Sequence, residues 1–263
     1  GVLTDTVTVR QGSALAAAFG IQPLKEETSQ SSTLGFAWRP GNGFSLTADL
    51  YNIRIDDRIV LSGYVTPDGA PGCTDPAVCP ARVLLEAVNV GAANFFTNAI
   101  DTKTKGVDIV AQYETMLANE AKLVFDLAYG HNVTTVVAIN SQSSLLSPAA
   151  LFDDAQVTLL EHGLPQDRGQ VGFTYSQGRW RVNINNSYYG QVFGKGFGPE
   201  YHGRGKWLTD LGVNCKATDK LDFTIGGNNV FDVYPDEWEG GTPFPELGFV
   251  YGWETLPFGL NGG

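Results

Sequence analysis

The run KWLTDLGVNCKATDKLDFTIGGNNVFDVYP, Lys206 to Pro235, holds two alternating segments joined by one tight turn. In the first, Trp207, Thr209, Leu211, Val213 and Cys215 share one parity, and Leu208, Asp210, Gly212, Asn214 and Lys216 the other. After Ala217-Thr218-Asp219-Lys220 the alternation resumes, with Leu221, Phe223 and Ile225 against Asp222, Thr224 and Gly226. Side chains of a strand point to opposite faces with period two, so each segment presents one apolar and one polar face. Both runs exceed the about five or six residues usual in a globular strand. They approach the roughly 9–11 that cross a membrane obliquely.

Working outward, six more runs repeat the pattern. Leu34, Phe36 and Trp38 share a face, and Pro40-Gly41-Asn42-Gly43 predicts a turn, because glycine and asparagine adopt positive φ cheaply. Phe44, Leu46, Ala48 and Leu50 then oppose Ser45, Thr47, Asp49 and Tyr51, with the run continuing to about Arg58. A third strand is expected from about Thr104, with Val107, Ile109, Ala111 and Tyr113 against Asp108, Gln112 and Glu114. Leu123, Phe125, Leu127 and Tyr129 mark a fourth; Val171, Phe173 and Tyr175 a fifth; Trp180, Val182 and Ile184 a sixth. Short turns at 40–43, 117–120, 177–179 and 217–220 alternate with long connections at 63–93, 140–165, 191–205 and 236–261.

That alternation describes an antiparallel up-and-down meander whose two ends meet different environments, as in transmembrane barrels with short periplasmic turns and longer extracellular loops. Trp38, Phe44, Tyr113, Tyr175, Trp180 and Trp207 fall near strand ends, where interfacial aromatics belong. A soluble β-sandwich or closed barrel also alternates. Here Asp, Asn, Gln and Arg on the inner face argue against a dry core, since burying such groups unpaired costs about 1–3 kcal/mol each. The fold expected is therefore all-β, an antiparallel transmembrane β-barrel of which this chain supplies about eight strands. Residues 1–30 form an entry segment, 31–235 the meander and 236–263 the last long loop. Helical turns are expected at Ser13–Phe19, stopped by Gly20, and within Asp153–His162.

The 263 residues are glycine-rich (32) and poor in charge (17%), with a net charge of −11. No lysine or arginine cluster builds a basic face, which excludes a nucleic-acid partner. No apolar run reaches the roughly 18–20 residues of a transmembrane helix, and barrel strands do not need one. Cys73 and Cys79, with five residues between them in a loop stiffened by Pro71, Pro76 and Pro80, suit a small disulfide in an oxidising compartment. A zinc pair is the rival and would need two further ligands, with no histidine nearby. Cys215 lies on the apolar parity of its strand and is expected to act as a small hydrophobe.

No catalytic constellation can be assembled: GxSxG, HExxH and P-loop patterns are missing. His131, His162 and His202 stand far apart, and no metal site or cofactor is read from them. Gly194-Lys195-Gly196-Phe197-Gly198 imitates a phosphate loop without the βαβ context that would support it. Loop aromatics are the candidate ligand contacts: Phe95 and Phe96 after the cysteine loop, and Trp238, Tyr251 and Trp253 in the last connection. Packing of the loops against one another is the competing role for all five.

The segment IGGNNVFDVYPDEW resembles the penultimate barrel strand of TonB-dependent outer-membrane receptors, which carry a segment of the form GxNNLFDxYP; Gly226, Asn228, Asn229, Val230, Phe231, Asp232, Tyr234 and Pro235 match. Thr33 to Gly63 and Phe95 to Tyr113 resemble other strands of the same barrels. The resemblance implies the C-terminal third of a 22-stranded barrel, without the plug domain and without the final strand. It implies residence in the bacterial outer membrane, contact with its lipid, and coupling to the TonB complex through the plug. It also implies energy-coupled uptake of a ferric siderophore or another scarce nutrient. The alternatives are a carbohydrate-importing receptor of the same family and a soluble, lectin-like ligand-binding module.

Overall fold

The structure is a computed structural model that describes residues 5–67, 80–140, 143, 145–195, 200–238 and 251. In chain order the elements are β1 (Thr6–Val9), α1 (Ala14–Ala18), β2 (Thr28–Gly41), β3 (Phe44–Leu61), α2 (Pro80–Ala87), β4 (Ala92–Met116) and β5 (Lys122–Ile139). There follow α3 (Pro148–Leu151), α4 (Asp154–His162), β6 (Asp167–Gln177), β7 (Trp180–Tyr189), β8 (Val192–Gly194), β9 (Tyr201–Gly203), β10 (Lys206–Thr218) and β11 (Leu221–Gly227). The main sheet runs β11-β10-β7-β6-β5-β4-β3-β2, and β8 and β9 form a separate hairpin. Eight long strands therefore lie in meander order, as the alternation predicts. β2 and β11 stand at the two ends of that order.

The chain divides into two compact units, Gly1–Ser31 with Ile53–Thr104 and Thr134–Glu161, and Ser32–Asn52 with Lys105–Val133 and His162–Gly263. In the second unit the register settles the two faces. One cross-strand row joins Phe125, Phe173, Ile184 and Leu211, and the next joins Leu123, Tyr175, Val182, Val213 and Ile225. These apolar rows face outward: Phe125 is 44% exposed, Leu211 41% and Ile225 75%. On the other face a row joins Lys122, Ser176, Arg181, Asn214 and Thr224, and another joins Asp126, Gly172, Asn185 and Asp210. Cross-strand hydrogen bonds tie this face together, from Gln112 Nε2 to Asp126 at 2.8 Å and from Asn214 Nδ2 to Thr224 at 2.9 Å. A sheet with exposed leucine and phenylalanine rows on one side and a hydrogen-bonded polar side has its burial inverted relative to a soluble sandwich.

Turn chemistry fixes the short ends. Gly41, Asn42 and Gly43 take φ of +94°, +55° and +78°. At Gly43 a Cβ would sit 1.9 Å from the Glu114 carbonyl oxygen, while the Gly43 carbonyl accepts from Glu114 N at 2.9 Å. Only glycine allows that approach. Trp38 and Phe44 flank the turn with ring centroids 5.7 Å apart. Far along the strands, Tyr188 and Trp207 pair at 5.0 Å, so aromatics mark both ends of the apolar band.

The first unit has a core of its own. Val9, Phe19, Val65, Leu85, Phe95 and Leu151 are buried together, and β1 pairs in parallel with β4 from Thr6↔Ala92 to Val9↔Phe95. Ser13 caps α1, accepting from Ala16 N at 3.2 Å, and Gly20 at φ +69° ends it. Asn98, 2% exposed, accepts from Lys25 N at 2.9 Å and donates to the Lys25 and Asp57 carbonyls. The Lys25 ammonium adds an ion pair to Asp57 at 2.7 Å. The strand expected from about Thr104 thus begins at Ala92. Its first half is buried on both faces, which removes the alternation that marks the second half.

Candidate functional site

The second unit carries a cluster of side chains on the connection from β7 to β10 and on the segment that leaves β11. That segment is shaped by Asn229, whose backbone takes φ +45°. Its side chain accepts from Val233 N at 3.0 Å and donates to the Val233 carbonyl at 2.9 Å. The Asn229 N–H donates to Asp210 Oδ1 on β10 at 2.7 Å. The chain is thereby turned back across the β10 edge and delivers Asp236.

Asp236 is the hub. Arg204 donates to it from N at 2.7 Å, Nε at 3.2 Å and Nη2 at 2.9 Å, and Lys206 Nζ donates at 2.6 Å. The Arg204 hydrogen bonds, helped by Lys206, hold the Asp236 carboxyl far below the usual carboxylate range against the opposing effect of burial. Tyr201, 2% exposed, donates its hydroxyl to the Asp236 carbonyl at 2.7 Å. Burial first, and the neighbouring Asp236 charge second, push the Tyr201 hydroxyl up to about 12. Trp238 lies over Tyr201 with centroids 5.5 Å apart, and Tyr234 stacks on Tyr251 at 6.2 Å and 4°.

Beside this hub opens a pocket of about 200 Å³, lined by His162, Gln166, Asp167, Gln191, Val192, Phe193, His202, Gly203 and Arg204. Phe193 and His202 are register partners in the β8–β9 hairpin, with rings 4.6 Å apart, and His162 reaches Phe193 from the end of α4 at 6.5 Å. Asp167 accepts from the Tyr129 hydroxyl at 2.6 Å and pairs with His131 Nδ1 at 2.8 Å. His162 and His202 thus flank one phenyl ring, while His131 pairs with Asp167, another residue of the pocket lining. Their separations of 31 and 40 positions hide this in the sequence.

Of the five aromatic candidates, Trp238 and Tyr251 lie in the aromatic group near Asp236, bridged through the Glu237↔Tyr251 pairing. Phe95 is 1% exposed in the core of the first unit, its ring 5.1 Å from Phe19, whereas its neighbour Phe96 is 45% exposed. Trp253, and the pair Cys73 and Cys79, lie outside the described residues. Cys215 is a free, half-buried thiol opposite Trp180 and Phe223. Among the described residues no group of three or more metal-binding side chains converges.

The sequence matches the TonB dependent receptor-like, beta-barrel family over residues 4–230. The chain belongs to that family. Its TonB-dependent receptor fold is shared with solved outer-membrane proteins at low identity. The FrpB iron transporter from Neisseria meningitidis in its apoprotein form aligns with 17% identity and a TM-score of 0.53, covering 80% of this chain and 28% of that one. The ferripyoverdine receptor of the outer membrane of Pseudomonas aeruginosa aligns with 17% identity and 0.52, covering 81% and 24%. The copper transporter OprC aligns with 16% identity and 0.51, covering 80% and 26%. Among curated proteins no sequence matches. The chain spans about a quarter of the length of the solved relatives, so it accounts for part of a TonB-dependent receptor barrel. The family consists of outer-membrane receptors and transporters rather than enzymes, and membership places this chain in the bacterial outer membrane.

Proposed function

We propose that this chain is the C-terminal part of a receptor that takes up a metal chelate, a ferric siderophore foremost, across the outer membrane. In this reading the long connections capture the ligand. Force from the TonB complex, acting on a plug region elsewhere in the receptor, then lets it through. The observation that carries the reading is the two-faced sheet of a TonB-dependent receptor barrel. Its apolar rows suit lipid, and its unbroken polar rows from Lys122 to Thr224 suit a hydrated lumen. The names of the solved relatives, transporters of iron and copper and a ferripyoverdine receptor, favour a metal cargo over a carbohydrate.

The test is uptake in the host bacterium. Deleting the receptor gene is expected to abolish TonB-dependent accumulation of radioactive iron from at least one chelate, with restoration by the intact gene. Iron accumulation unchanged by the deletion, together with lost growth on an oligosaccharide, would replace the metal chelate by a carbohydrate ligand.

A further inference from the structure

We infer that Asn42 is a site of spontaneous covalent modification. Its side-chain amide cyclises onto the Gly43 nitrogen and hydrolyses to aspartate and isoaspartate, without an enzyme. The inference is independent of the uptake reading.

Asn42 and Gly43 are the two residues of the turn between β2 and β3, and the fold dictates both. Asn42 sits at φ +55°, a left-handed conformation that asparagine tolerates better than most residues bearing a Cβ. A Cβ on Gly43 would lie 1.9 Å from the Glu114 carbonyl oxygen, so only glycine can follow. The turn thereby imposes Asn-Gly, the dipeptide in which no side chain shields the nitrogen that follows the asparagine. Both residues are exposed, so water reaches them. Among the described residues, neither the Asn42 amide nor the Gly43 N–H has a hydrogen-bond partner to hold it out of reaction.

The other asparagines are protected in ways that Asn42 is not. Asn229 shares the positive φ, but it is 5% exposed, its amide bonds Val233 at both ends, and Val230 follows it. Asn119 uses its amide oxygen to accept from Ala121 N and precedes Glu120. Asn98 is 2% exposed, and its amide is bonded to Lys25 and Asp57. Among the described residues, Asn42 is the only asparagine that a glycine follows.

The chemistry balances with water as the sole co-reactant. The Gly43 nitrogen attacks Asn42 Cγ. The N–Cγ bond forms, the Cγ–Nδ2 bond breaks, and Nδ2 leaves as ammonia with the proton that the Gly43 nitrogen gives up. Water then opens the cyclic imide. Addition at Cγ restores the normal backbone as aspartate. Addition at the backbone carbonyl carbon leaves Gly43 attached through Cγ, as isoaspartate, with an extra methylene in the main chain. That methylene lengthens a turn whose Gly43 carbonyl accepts from Glu114 N at 2.9 Å and whose flanks are Trp38 and Phe44. The modified receptor therefore carries a loosened hairpin at the short-turn end, and the mark accumulates with the age of the molecule.

The experiment incubates the full-length receptor in detergent, in mildly alkaline buffer made with oxygen-18 water. Peptides cut afterwards in ordinary water are followed by mass spectrometry, and isoaspartate is read separately by labelling with an isoaspartyl methyltransferase. The peptide carrying Asn42 is expected to take up heavy oxygen at least tenfold faster than peptides carrying the other described asparagines. Asn42→Gly suits the turn and should abolish methyltransferase labelling of that peptide, with heat-modifiable migration on gels confirming that the variant is folded. Hydrogen exchange at the Glu114 amide should be at least threefold faster in the isoaspartate fraction than in unmodified receptor. Reaction at Asn42 no faster than at the other described asparagines would overturn the assignment. So would reaction confined to heat-unfolded receptor, because the folded turn would then be holding the Gly43 nitrogen away from Cγ.

Discussion

Asp236 grips Arg204 through both guanidinium and backbone, at 2.9 and 3.2 Å from the side chain and 2.7 Å from the amide, and thereby ties the segment leaving β11 to the start of β10. With the Arg204 side chain 82% exposed, solvent screening holds the ion pair itself to about 1 kcal/mol or less, and the backbone hydrogen bond adds to it. Asp236→Ala is expected to release the connection while the long strands persist. Hydrogen exchange should show faster exchange at Arg204 and Lys206 and unchanged protection at β6 and β7. Protection lost equally everywhere would show that Asp236 supports the whole sheet instead.

The same carboxyl sets an acid limit. Its folded value is depressed below the usual carboxylate value of about 3.9, so its stabilisation is present above that value and is lost as pH falls towards the folded one. Exchange at Arg204 is therefore expected to stay constant from pH 7 down to about 4, after correction for intrinsic rates. It should rise only in stronger acid. A rise centred between pH 5 and 7 would mean that another group controls the clamp.

Asn229 is 5% exposed and bonds Val233 through both ends of its amide at φ +45°. Asn229→Ala loses both bonds and places an ordinary side chain in left-handed backbone, an expected cost of about 2–3 kcal/mol. Asn229→Gly relieves the backbone and should recover part of that cost. Asn228→Ala, at an exposed position, should cost under about 0.5 kcal/mol. Urea titration of the folded receptor in detergent measures all three. Equal effects at 228 and 229 would show that the asparagine pair acts through something other than this turn.

Much of this architecture is legible in the sequence because barrel strands write their two faces directly into alternate residues. The four short turns, the helical turn after Ser13 and the helix near Asp154 all follow from local chemistry that tertiary contacts do not override. The first half of β4 was hidden for the opposite reason. Asn94, Phe95, Thr97 and Asn98 are all buried, so neither parity is apolar. β8 and β9 are three residues each within a glycine-rich run, too short for any period to show. The histidine pocket depends on the hairpin register that sets Phe193 opposite His202, which no spacing rule anticipates. Phe95 and Phe96 look alike in sequence, yet adjacent strand positions send one ring into a core and the other outward.

Leu127 and Leu211 stand on the exposed apolar face, whereas Asn183 lies on the polar face with its amide against Gly212. Arginine at either leucine should cost roughly 2–4 kcal/mol if the site lies near the bilayer midplane, and arginine at Asn183 much less. The check is the denaturant midpoint of the full-length receptor refolded into lipid vesicles. Equal penalties on both faces would indicate a dry interior.

Residues 1–263 on their own are expected to transport nothing. β2 and β11 end the strand order, and each pairs with a single neighbour among the described residues. An open edge in lipid leaves backbone N–H and C=O groups without partners, at several kcal/mol per group. Closing these eight strands on themselves would not relieve the problem. An eight-stranded barrel has an interior just wide enough to be filled by side chains. The inward rows here carry Lys122, Asp126, Arg181, Asn185, Asp210 and Asn214, which would then be crowded together without water. The chain alone should aggregate on refolding in detergent, and co-refolding with the remaining strands of the receptor should rescue it. Chromatography, heat-modifiable migration and liposome flux distinguish the outcomes. A monodisperse, heat-resistant product that passes a ferric chelate would show that the edges find each other and that eight strands suffice.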